Sequence, residues 1–195
     1  MRKLTLLSLL LLARAAAAQE LMDLLQQGPV VLVELGKSGK FEKATAIIHI
    51  KKPPAEVWAV AEDIGRYKEF MPKLIKSDAT KVEENQVDMD AEIDVPGVNT
   101  TYKFRYDLDP KKLSLHGQWQ SGDIKGSYCD WRIVPFKGEL LLYYSNASKN
   151  FSSLAESLED DQQTVTVGLN VSSALAVAKA VKKRVEDGAG VAKAP

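Results

Sequence analysis

Residues 87–95 read VDMDAEIDV, and their alternation is strict. Val87, Met89, Ala91, Ile93 and Val95 fall on one side of an extended chain, and Asp88, Asp90, Glu92 and Asp94 on the other. Successive side chains of a strand point to opposite faces, so this period demands one buried face and one wet face. A sheet that is apolar on one side cannot stand alone in water; another layer has to cover it. The rest of the chain must therefore supply partner strands and a covering element.

Partner strands follow at roughly even spacing, the mark of an antiparallel sheet. After the Pro96-Gly97 turn, TYKFRYDL sends Tyr102, Phe104, Tyr106 and Leu108 inward. Asp109-Pro110 then leads to KLSLHGQW, with Leu113, Leu115, Gly117 and Trp119 on one face. For 124–134 and 139–146 the facing stays open. Cys129, Trp131 and Ile133 form one candidate inner row, matched by Leu140, Leu142 and Tyr144. Upstream, ELMDLLQQ (20–27) reads as a helix stopped by Gly28-Pro29, and VVLVEL (30–35) as a strand. FEKATAIIHIKK (41–52) alternates, with Ala44, Ala46, Ile48 and Ile50 inward; Thr45, Ile47 and His49 are assigned to solvent. The tract from 147 to 163 is polar, with a short helix expected around Ser153 to Leu158.

The covering element lies at the C-terminal end. Val167, Val171, Ala174, Ala178, Val181 and Val185 recur at steps of four and three, an apolar stripe on one long helix. Lys182, Lys183 and Arg184 gather in its last turn, where cations suit the helix dipole. As the only long helix expected, it is what the sheet must curl around. One further stretch, PPAEVWAVAEDIGRYKEFMP (53–72), lies between strands. Pro53 and Pro54 suit a helix start, because first-turn N–H groups lack partners anyway. Two short helical pieces follow, hinged near Asp63-Ile64-Gly65, and they carry Trp58, Tyr67, Phe70 and Met71.

At the N-terminus, Arg2 and Lys3 precede the apolar run Leu4 to Leu12, and ARAAAA follows. The run is too short to span a bilayer and has the layout of a secretory signal peptide cut after Ala18. Periplasmic or secreted localisation is the expectation. Losing Arg2, Lys3 and Arg14 turns a formal charge of zero into three net negative charges, so no basic excess remains for nucleic acid. Cys129 is the sole cysteine, which rules out an intramolecular disulfide. Four N-x-Ser/Thr sequons start at Asn99, Asn146, Asn150 and Asn170 and are read as chance. The boundaries expected are a signal peptide (1–18), a helix-and-strand extension (19–39), one domain (40–187) and a disordered tail (188–195).

This order of elements resembles the START-like superfamily, also called SRPBCC or helix-grip. Its most specific signals are the Pro-x-x-x-Val-Trp helix and Asp63-Ile64-x-x-Tyr67-x-x-Phe70-Met71-Pro72. Within the superfamily the chain is most similar to the polyketide cyclase/dehydrase and coenzyme Q-binding branch. The resemblance implies an α+β helix-grip fold, a curved antiparallel sheet wrapped around the C-terminal helix. It also implies a cavity for a lipid, sterol, quinone or related isoprenoid.

Candidate ligand-binding residues are then Trp58, Tyr67, Phe70 and Met71 from the short helices. Met89, Tyr102, Phe104, Tyr106, Trp119 and Trp131 come from the sheet, and Val167, Val171, Ala174 and Ala178 from the last helix. Ordinary core packing accounts for any one of these aromatics equally well, because large rings dominate the burial of any core. As a set they tilt toward a pocket, since the Val/Ala stripe leaves room above a sheet studded with rings. Trp58 is expected as an anchor, with Tyr67, Phe70 and Met71 at the mouth.

No metal motif, phosphate loop or catalytic constellation accompanies them, so no cofactor, metal or catalytic residue is expected. A monomeric carrier with transient membrane contact is the first reading. A cyclase- or dehydratase-like enzyme, and an interaction domain with a filled core, are the alternatives. An inward His116 or Asp130 would favour the enzyme.

Overall fold

The computed structural model describes residues 20–94, 99–136, 139–148 and 162–188. The expected leader, the Pro96-Gly97 turn, the helix expected near Ser153 and the tail past Gly188 lie outside them. The order is α1 (20–27), β1 (Val30–Leu35), β2 (Phe41–Ile50), α2 (Pro54–Glu62) and a 3₁₀ turn (Ile64–Glu69). Then come β3 (Leu74–Glu83), β4 (Gln86–Ile93), β5 (Thr100–Asp109), β6 (Ser114–Gly122), β7 (Tyr128–Phe136), β8 (Glu139–Ala147) and α3 (Gln162–Glu186).

The eight strands make one curved antiparallel sheet in the order β1-β2-β8-β7-β6-β5-β4-β3. Strands β3 to β8 run as a meander, and β2 joins it by pairing with β8. The α2 and 3₁₀ excursion therefore carries the chain from β2 to the far edge of the sheet at β3. That crossing lays Val57, Trp58, Val60, Ala61, Ile64 and Tyr67 over the concave face, where all are buried. The two ambiguous strands take the expected phase, with Cys129, Trp131, Ile133, Leu140, Leu142 and Tyr144 buried on the inner face. On the outer face of β4 and β5, Arg105 forks onto Asp88 at 2.7 and 3.0 Å, and Lys103 meets Asp90.

The outer face of β2 is not wet as expected. Helix α1 folds back over it, and Met22 and Leu25 pack with Ile47 and Leu141 in a second small core. His49 is buried too, with Nε2 paired to Glu139 and its carbonyl accepting from Lys182 Nζ at 3.0 Å. Thr45 and Ser145 share a buried hydroxyl–hydroxyl bond of 2.8 Å beside it. An alternating strand was read as half-solvated because its covering helix lies well away along the chain.

Gly65 differs too. Its backbone stays out of the left-handed region, so the bend does not depend on glycine's conformational freedom. A Cβ there would sit 3.4 Å from the Ala79 Cβ on β3, in ordinary packing contact with that strand. Ser77 fixes the same contact, accepting from Lys68 N–H at 3.0 Å and donating to the Gly65 carbonyl at 2.9 Å.

Helix α3 is clamped on one half of the sheet, against β1, β2, β8 and α2. Ala174, Ala178 and Val181 are fully buried there, and their small size lets the helix lie close. Asn170, also fully buried, ties the helix to the end of β8. Its Oδ1 accepts from Ser148 N–H at 2.7 Å, and its Nδ2 donates to the Ser148 and Thr166 carbonyls at 3.1 and 2.9 Å. Burial of Asn146 and Asn170 leaves neither sequon exposed for a glycan in the folded chain.

Candidate functional site: an apolar cavity under the last helix

Because α3 leans toward β2 and β8, the other half of the concave face lacks a close cover. A cavity of about 600 Å³ remains there, within the range of small-molecule sites. Its sheet wall comes from Met89 and Ile93 on β4, Tyr102, Phe104 and Tyr106 on β5, Cys129 and Trp131 on β7, and Tyr144 on β8. Strand β6 adds no wall residue because the Tyr106 ring lies across Gly117, where a Cβ would meet ring carbons at 2.6 and 2.9 Å. Tyr67 and Met71 close one end. Leu169, Ser173, Ala176 and Val177 of α3 form the roof.

The rings of the wall touch in sequence. Tyr67 stacks on Trp131 at 5.7 Å, Tyr144 meets Trp131 edge-on at 5.2 Å, and Tyr106 stands edge-on to Tyr67 at 6.1 Å. Offset and edge-to-face pairs of this kind add about 0.5–1.5 kcal/mol each beyond burial. The Tyr67 hydroxyl donates to the Ala61 carbonyl at 2.5 Å, which fixes the 3₁₀ turn to the end of α2.

Among the described residues the wall carries no ionised group. Burial pushes the hydroxyls of Tyr67, Tyr102, Tyr106 and Tyr144 above the ordinary phenol value. Burial, with the Asp130 carboxylate adding to it, pushes the Cys129 thiol up to about 12. All five groups stay protonated at neutral pH. Charge is confined to the exposed rim, at Lys73, Asp94 and Asp123. Lys73 and Ile124 flank the mouth in the left-handed region, with φ of 63° and 56°. Bulky side chains rarely adopt it, and such strain concentrates at ligand clamps. Among the described residues no group of His, Cys, Asp or Glu could hold a metal ion.

The 3₁₀ turn is latched to α3 from outside the cavity. Glu69 accepts a two-pronged bond from Arg66 at 2.7 and 2.9 Å and a 2.5 Å bond from Arg184, whose guanidinium also lies 5.6 Å from the Phe70 ring centre. The Arg66 hydrogen bonds, with Arg184 adding to them, hold the Glu69 carboxyl down at about 2. The unfolded value is near 4.5, so the latch is fully present above that pH and is lost as pH falls toward 2. Glu69→Gln is expected to lower Tm at pH 6, and its gap to the wild type should close between pH 4.5 and 2, as thermal melts would show.

The structure brings Tyr67, Met71, Met89, Tyr102, Phe104, Tyr106 and Trp131 together on the wall. Trp58 is packed in the core beside α3 and does not reach the cavity. Phe70 lies under Arg184, outside the wall. Trp119 is half-exposed, and its indole N–H donates to the Gly122 and Asp123 carbonyls at 3.2 and 2.9 Å. It pairs with Phe104 in the inner row and packs against the core, yet it lies at the end of that row, next to the bulge at Gln120, and does not line the cavity. Val167, Val171, Ala174 and Ala178 also miss the cavity. That stripe is the clamping face of α3, and the roof is the adjacent face, which includes Ser172 and Ser173. Asn146 and Ser148 were missed because β8 reads as apolar until its last residues.

Comparison with known proteins follows the same geometry. No curated protein matches the chain in sequence. Among solved structures, the protein TTHA0849 from Thermus thermophilus superposes with a TM-score of 0.67 at 14% identity, covering 75% of this chain and 99% of that one. A STAR-related lipid transfer protein from Xanthomonas axonopodis gives 0.65 at 15% identity, covering 82% and 94%. The Zhui aromatase/cyclase from a Streptomyces species gives 0.60 at 17% identity, covering 79% and 99%. At such identities the likeness is one of fold, the START-like helix-grip. The model of one family, described as polyketide cyclase / dehydrase and lipid transport, matches residues 50–189. That match spans most of the chain and the whole cavity, and the protein belongs to this family.

Proposed function

We propose that this protein is an exported, monomeric carrier that encloses an apolar small molecule and does no covalent chemistry on it. The observation that carries the reading is the cavity of about 600 Å³, walled by rings and aliphatic groups with charge only at its rim. A lipid chain gains about 0.8 kcal/mol per CH₂ on leaving water, so ~14 carbons gain about 11 kcal/mol. A bilayer offers nearly the same, so cargo exchanges with a membrane at little net penalty. Such a protein shields an insoluble molecule while it crosses water. A void also removes the premise of an interaction domain with a filled core.

The cyclase or dehydratase reading needs a base on the wall. Neither histidine supplies one: His49 pairs with Glu139 away from the cavity, and His116 pairs across the outer face with Asp130 at 2.7 Å. Transfer is also the role named for the Xanthomonas structure, whereas the Streptomyces one is an aromatase/cyclase. The test is native mass spectrometry of protein purified from its host, with lipid extraction. A bound lipid, sterol, quinone or isoprenoid at one per chain, on a chain beginning near Gln19 in an exported fraction, is expected. Empty protein that also fails to take up Nile red would overturn the reading.

A further inference from the structure

Two polar atoms buried beside the cavity lack a hydrogen-bond partner among the described residues: Trp131 Nε1 and Asn146 Oδ1. Their residues are 2% and 3% exposed, and both line the cavity. Strand register sets them close. Trp131 pairs with Tyr144 and Cys129 with Asn146, so Trp131 and Asn146 are diagonal neighbours on the concave face. Diagonal positions across an antiparallel pair stand about 7–8 Å apart, a gap that long side chains and one small group can bridge. Between them lies Cys129, whose protonated sulfur feels the Trp131 N–H but is too weak an acceptor to satisfy it. Folded proteins leave few buried polar atoms unpaired, and an orphan asks what its missing partner is.

The chemistry of the pair narrows the partner. One orphan is a donor and the other an acceptor. A hydroxyl serves both at once. A ketone or quinone carbonyl answers Trp131 and leaves Asn146 unmet. A carboxylate or phosphate only accepts and brings charge to a wall without a cation, since Lys73 stands at the rim.

We propose that Trp131 and Asn146 form a polar subsite for the hydroxyl of a neutral, single-headed amphiphile, an alcohol carried head-inward with its hydrocarbon toward the aromatic wall. The proposal rests on the carrier reading and specifies its cargo. Asn146 would accept from the hydroxyl and Trp131 would donate to its oxygen.

The test is displacement of Nile red from the delipidated full-length protein by three chains of matched length. These are 1-dodecanol, 1-chlorododecane and dodecanoate, the last at pH 8 and below its micelle threshold. The alcohol is expected to displace the dye at a concentration about tenfold below the chloride, the usual size of a buried hydrogen bond's discrimination, and below dodecanoate as well. Trp131→Phe and Asn146→Leu should each pull the alcohol-to-chloride ratio toward one while the chloride still binds. Should either variant fail to fold, the wild-type ratio alone decides. Equal displacement by alcohol and chloride, as expected if water alone fills the subsite, overturns the subsite and leaves the carrier standing. Tighter binding of dodecanoate overturns it too. If none of the three displaces the dye, the carrier reading falls and the subsite with it.

Discussion

Gly117→Val is expected to lower stability by about 3 kcal/mol, the upper end for overpacking a filled site, and to abolish Nile red uptake. Gly117 sits mid-strand on β6, paired with Tyr106 on one side and Cys129 on the other. A Cβ there would stand 2.6 Å from the Tyr106 ring and 2.8 Å from Cys129 Sγ. Backbone pairing on both flanks holds β6 in place, so the side chains must give. The one free direction is the cavity, and both neighbours already line it. Glycine interior to a strand marks such a close approach. Urea melts with parallel dye titrations check the result. Stability lost with uptake retained would show that Tyr106 does not bound the ligand space.

Asn170→Ala is expected to lower stability by about 2 kcal/mol, because it orphans a part-buried donor and acceptor together. Its side-chain amide takes the Ser148 N–H and returns a bond to the Ser148 carbonyl, satisfying both backbone polar groups of that residue. Ser148 also lines the cavity, so the loosened end of β8 should weaken ligand retention as well. Asn170→Asp separates the terms. A carboxylate still accepts from Ser148 N–H but donates nothing back, so an intermediate loss is expected, with faster dye release in stopped-flow chase experiments.

The sheet was legible because alternation is a local property. VDMDAEIDV and TYKFRYDL announce their inner rows, and Met89, Tyr102, Phe104 and Tyr106 all reach the cavity. Helix facing was less legible. An apolar stripe reports which side of α3 is driest, and the driest side clamps the sheet; a cavity roof tolerates Ser172 and Ser173, which lie off that stripe. Trp119 failed for another reason. Its facing in KLSLHGQW reads as observed, paired with Phe104, but alternation does not tell how far along a strand the cavity extends, and Trp119 sits at the row's end beside the bulge. His49 failed because period two reports polarity, whereas its burial beside Glu139 is a tertiary event.

Helix α3 rests on β1, β2, β8 and α2, while β4, β5 and β7 supply most of the wall opposite. The parts that secure the molecule and the parts that meet a passenger are thus largely separate sets of residues. Distant, unshared sites contribute to stability nearly additively. Descendants of this chain can rewrite Met89, Ile93, Tyr102 and Phe104 for a different passenger while the clamp at Ala174, Ala178 and Val181 goes untouched. A scaffold divided in this way can diversify quickly, because novelty on one bank does not erode the footing on the other.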